Sequence, residues 1–147
     1  MTPFRLFISI LVLSVLWFVP LSAATTQPEN TAAAHGLELP GDVASKLPFL
    51  AEFSVGNNRK ILNTHYVNFT FATPWPQVLE FFSTQFAADG WEIIREELPE
   101  QQRGARNAVW VVAGHGVDVS LSLETFGGPE GQNSVGVLQV RPSRADM

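Results

Sequence analysis

Three histidines, a run of glutamates and one glycine-rich loop are the residues of this chain whose types could do chemistry. His35 falls in a polar leader, His65 at the start of a strand, and His115 between two glycines. No two of them share a metal-ligand spacing such as HExxH or HxH. His115 and Asp118 come to one side of a hairpin end, but a histidine in a glycine-flanked turn reads as solvated. Glu96 and Glu97, with Glu92 and Glu100 nearby, invite a general acid–base reading. Neighbours on a strand point to opposite faces, so Glu96 and Glu97 cannot converge on one substrate. No serine sits in a G-x-S-x-G elbow. Gly127-Gly128-Pro129-Glu130-Gly131 lacks the Lys-Ser/Thr and the following helix of a phosphate loop. The expectation is a non-enzymatic chain with no catalytic residue, no metal site and no cofactor.

Composition narrows the partners. The chain has no cysteine, which removes disulfides, thiolate metal sites and lipid attachment through a cysteine after an export signal. The formal net charge is −5, so the bulk field recruits neither nucleic acid nor anionic lipid. Arg95, Arg103, Arg106, Arg141 and Arg144 read as solvated surface charges. Asn68-Phe69-Thr70 matches a glycosylation sequon but reads here as strand alternation.

Residues 1–24 carry an address. Arg5 precedes an apolar run from Leu6 to Val19, then Pro20 and the small residues Ser22, Ala23 and Ala24. A bilayer span asks for about 20 apolar residues, and this run is shorter. It predicts a cleaved export signal that leaves no stable membrane anchor. The product belongs in the periplasm of a Gram-negative bacterium or outside the cell, with the missing cysteines leaning toward a bacterial envelope. Residues 25–45 are polar, alanine-rich and proline-punctuated, and read as a flexible spacer. A single domain over 46–142 and a tail over 143–147 complete the expected organisation.

The domain's elements follow from periodicity. Leu47 to Val55 is apolar enough for a short strand, and Gly56-Asn57-Asn58-Arg59 reads as a turn. Val67, Phe69 and Phe71 alternate with Tyr66, Asn68 and Thr70, which is the period of a half-buried strand. Thr73 to Gly90 predicts the one long helix, with Thr73 as N-cap and Pro74 at the first helical position. Trp75, Val78, Leu79, Phe82 and Phe86 form its buried stripe. Gly90 stops it in a left-handed conformation, and Trp91 folds back onto its last turn. Strands then follow over 91–98, 107–113, 117–124 and 135–140. His115 sits in a hairpin turn and Gly127–Asn133 in a longer one. The predicted class is α+β: an open antiparallel sheet of about five to six strands, covered on one face by one long helix.

The run Thr73-Pro74-Trp75-Pro76-Gln77-Val78-Leu79-Glu80-Phe81-Phe82, closed by Asp89-Gly90-Trp91, resembles a pattern in small exported bacterial proteins of uncharacterised function. The likeness covers about Leu47 to Arg141. It implies a helix-on-sheet fold like the small accessory modules of envelope assembly machinery, and it carries over no catalytic residue.

Tyr66, Phe81 and Phe126 fall on predicted outer faces. Clustered exposed aromatics mark binding surfaces, so these three are the candidate partner contacts. The expected function is an exported envelope domain that binds an unknown envelope protein or docks on a membrane-associated complex, through its sheet edge or helix face. The alternative is a carrier holding a small apolar or lipid-like ligand under the helix.

Overall fold

The computed structural model describes residues 30–40, 42–99, 106–126 and 133–143. The export signal, residues 25–29 of the expected spacer, most of the Gly127–Asn133 turn and residues 144–147 of the tail lie outside them.

The expected α+β architecture is observed. Six strands form one antiparallel sheet in the order β1-β2-β6-β5-β4-β3. They are β1 (Ser54–Ile61), β2 (Thr64–Phe71), β3 (Glu92–Glu97), β4 (Arg106–Gly114), β5 (Val117–Phe126) and β6 (Asn133–Pro142). A single four-turn helix, α2 (Trp75–Ala88), lies over the inner face, preceded in sequence by the short α1 (Val43–Lys46). The inner face is built from the apolar half of each alternation: Val67, Phe69 and Phe71 on β2, Ala108, Trp110 and Val112 on β4, and Val117, Val119, Leu121 and Leu123 on β5, all buried.

The helix meets this face through the expected stripe. Trp75, Val78, Phe82 and Phe86 are buried, and Leu79 is partly so. The Phe82 ring lies 5.5 Å from that of Trp110, and Phe86 meets Trp91 edge-on at 6.2 Å. Gly90 takes φ 76, as the helix stop requires. The start differs from expectation. Pro74 is the N-cap, no side chain caps the helix, and Pro76 occupies the first turn. The Thr73 hydroxyl oxygen is buried without a hydrogen-bond partner among the described residues. Proline at the cap, with φ −53°, directs the chain into the helix without a side-chain acceptor.

The expected flexible spacer is corrected over its described part. Residues 30–40 and 42–53 fold onto the inner face beside the helix. A 3₁₀ turn (Ala32–His35) and α1 bring Ala32, Leu37, Val43 and Leu47 into the core. Thr31 pairs with Pro48 in an isolated bridge, and the Trp91 indole N–H donates to the Lys46 carbonyl at 3.1 Å. The reason is width. Strands about 4.8 Å apart make a six-stranded sheet about 24 Å across, whereas a helix with its side chains spans about 10–12 Å. The helix covers the β3–β4 side, and Phe49 and Phe53 cover the β2 side by packing on Phe69 at 4.8 Å each.

The same packing corrects two further expectations. Leu47 to Phe53 is no strand, because its apolar side chains serve the layer above the sheet. Gly56 to Arg59 is no turn. These residues run inside β1, with a bulge between Val55 and Asn57. Turn-forming residues are tolerated there because β1 is an edge strand that packs against almost nothing on its outer side. The chain reverses instead at Leu62 and Asn63, between the paired Ile61 and Thr64.

Candidate interaction surface

The histidines are structural ties or lone side chains. His35 Nε2 lies 2.9 Å from the Leu50 carbonyl oxygen, and its ring meets Phe49 edge-on, which fastens the N-terminal segment to the core. His115 occupies the β4–β5 turn with φ 52, followed by Gly116 at φ 76. Its Nε2 lies 3.2 Å from the Asp89 carbonyl oxygen, and its ring meets Trp91 edge-on at 4.8 Å, so the hairpin tip is tied to the end of α2. His65 sits beside Lys60 across the β1–β2 pair. Burial first, and the neighbouring Lys60 charge second, hold its pKa below the usual imidazole value. Among the described residues no group of three or more histidine, aspartate or glutamate side chains could share a metal ion.

Glu96 and Glu97 diverge as the strand period requires. Glu96 stands opposite Trp110 and accepts hydrogen bonds from the Trp110 indole N–H, at 2.8 Å, and from the Ser83 hydroxyl. Glu97 stands opposite Val109 and pairs with Arg95. The first joins sheet to helix and the second faces outward.

The three candidate aromatics do not form one patch. Tyr66 and Phe126 both point from the uncovered outer face of the sheet. Tyr66 lies opposite Gln139 and Phe126 opposite Asn133, so they stand about 20 Å apart along the strands. Tyr66 is half-buried beneath the Arg59 guanidinium, 6.0 Å from its ring centre. Phe126 is exposed and borders an open cleft of about 420 Å³ that Glu52, Ser54, Thr70 and Val135 help to line. Phe81 is on the other side of the molecule. It packs partly buried against the core and lines a cleft of about 270 Å³ with Asn30, Thr31, Ser45 and Lys46. The segment read as a spacer forms the facing wall of this cleft, which leaves Phe81 partly buried rather than on an open surface.

The other edge strand, β3, is exposed at every residue and largely charged, and two features on the opposite side of the sheet are also open to an outside molecule. One is the β1 edge, exposed at every residue except Val55. The other is the hairpin at its end, where Ile61 is 47% exposed and Leu62 is 90% exposed. Sequence reading missed both, because Gly56-Asn57-Asn58-Arg59 outweighed Leu62-Asn63 as a turn signal. The pairing of apolar Ile61 with Leu62 in a polar surround was the available clue. A comparison of the chain with protein-family models, characterised proteins and solved structures found no match.

Proposed function

We propose that this is a non-enzymatic exported domain that binds a protein of the cell envelope by adding that partner's strand to β1. The observation that carries the reading is the eight-residue β1 edge, which has no strand on its outer side among the described residues and is exposed at all but one position. Its outward backbone groups offer main-chain hydrogen bonds, and Tyr66 and the Phe126 cleft flank the edge on the outer face at its two ends. Phe81 is left out of this surface because it serves the chain's own N-terminal segment.

The carrier alternative has less support. The space between helix and sheet is filled by the rings of Phe49, Phe53, Phe69, Phe82 and Trp110, with neighbouring centres 4.8–6.0 Å apart. An apolar ligand would need those rings displaced.

The test places a photo-crosslinking residue at Asn57 on the edge, or at Ser122 on the centre of the outer face, in cells that make the protein. One discrete adduct from Asn57 and none from Ser122 is expected. Equal adducts from both positions, or none from either, would refute strand addition at β1.

A further inference from the structure

We propose that the tip of the β1–β2 hairpin, Ile61 and Leu62, docks on an anionic lipid surface. Only two described residues other than glycine take positive φ: His115 at 52° and Leu62 at 55°. Such a conformation is unfavourable for any residue with a Cβ. At His115 the contacts with Asp89 and Trp91 offset it. At Leu62 nothing among the described residues does. A two-residue hairpin loop with positive φ at its first position alone follows the pattern of a type II′ turn, which prefers glycine there. Leucine in that place, 90% exposed, weakens the turn and gains no packing. An uncompensated local cost of this kind points to a use outside the fold.

Charge identifies the occupant. The chain is acidic overall, yet the three adjacent strands β1, β2 and β6 contain no acidic residue, while β1 and β6 contribute Arg59, Lys60 and Arg141. The acidic strand residues Glu92, Glu96, Glu97, Asp118 and Glu124 all lie on β3 and β5. Arg141 is paired with Asp118 at 3.4 Å. Arg59 and Lys60 are exposed, have no acid in register with them, and directly precede Ile61 and Leu62. Two exposed aliphatic side chains beside two cations fit the boundary between acyl chains and anionic headgroups. An acidic protein surface would satisfy the cations but would leave the most exposed leucine unused.

This docking uses side chains at the tip, whereas strand addition uses the backbone of β1, so the two readings can fail separately. The chain has no cysteine, so Asn63→Cys gives a single labelling site for an environment-sensitive fluorophore. Ser122→Cys is the control on the outer face. The protein recovered from its own envelope is mixed with vesicles of phosphatidylglycerol and phosphatidylcholine, or of phosphatidylcholine alone. A label at the tip reports insertion even in protein that still carries residues 1–24.

The expected result is about a twofold or greater rise in emission at position 63 with anionic vesicles only, and no change at 122. Arg59→Gln with Lys60→Gln should raise the lipid concentration needed by about tenfold or more, since each cation near an anionic surface contributes about fivefold. Leu62→Gly should abolish the rise while the protein melts at a higher temperature, which separates lost docking from lost folding. An unchanged tip label, an equal response to both vesicle types, or a response only to added envelope protein would overturn the proposal.

Discussion

A Cβ at position 136 would fall inside the ring of Phe69, its partner across the β2–β6 pair. That ring cannot step aside, because Phe49 and Phe53 pack against it at 4.8 Å. Gly136→Ala is therefore expected to destabilise the fold by about 2 kcal/mol, the ordinary cost of overpacking, measured by urea unfolding. Gly56→Ala is the matched control. Its Cβ would meet only the Asn68 carbonyl oxygen at 3.7 Å, and a change within about 0.5 kcal/mol is expected. Leu62→Gly should act in the opposite direction and stabilise by about 1 kcal/mol, because it removes the left-handed penalty without removing a contact.

The cover of the sheet is shared, and this has a consequence for the N-terminal segment. Ala32 and Leu37 are buried, and the Ala32 amide donates to the Leu47 carbonyl at 3.0 Å. Deleting the chain through Pro40 should cost about 3 kcal/mol, from the lost burial of Leu37 and Ala32 and the exposure of their neighbours. Thermal unfolding followed by far-UV circular dichroism would read it as a fall in Tm. A flexible spacer over these residues would leave Tm unchanged. The helix was legible because its stripe repeats every three or four residues and a glycine ends it. The segment before it was not, because Ala32, Leu37 and Val43 bury single side chains from irregular backbone, which has no period to detect.

Charge is distributed over the sheet as two halves, with the cations of β1 and β6 on one side and most of the acids on the other. Net charge conceals this arrangement. It leads to the lipid-docking inference, which bulk charge alone argued against. It also sets the pH response through His65. The fold holds that imidazole's pKa below its unfolded value of about 6.5, by burial and then by Lys60. Well above pH 6.5 the group is neutral in both states and contributes nothing to the slope. As pH falls from there through the lowered folded pKa, the unfolded chain binds the proton first, so stability decreases. His65→Gln should flatten that decline between pH 7 and pH 5.5 in a series of urea midpoints. An identical slope in the variant would remove His65 as its source.

Sequence alone was sufficient for the class of fold, the helix and its stripe, the β2 alternation, the tight turn at His115 and the divergence of Glu96 from Glu97. Each depends on spacing within about a dozen residues, where backbone geometry dictates which side chains share a face. Tertiary structure decided the rest. It set which strands are edges, that residues 30–40 and 42–53 complete the cover, that Phe81 lies partly buried beside the N-terminal segment while Tyr66 and Phe126 lie on the outer face, and that Gly136 is a seat for Phe69. These are contacts between residues far apart in the chain, and no local period encodes them. The true hairpin tip belongs with them. Leu62 is a poor turn residue by its own chemistry, and only the register of β1 on β2 places it there.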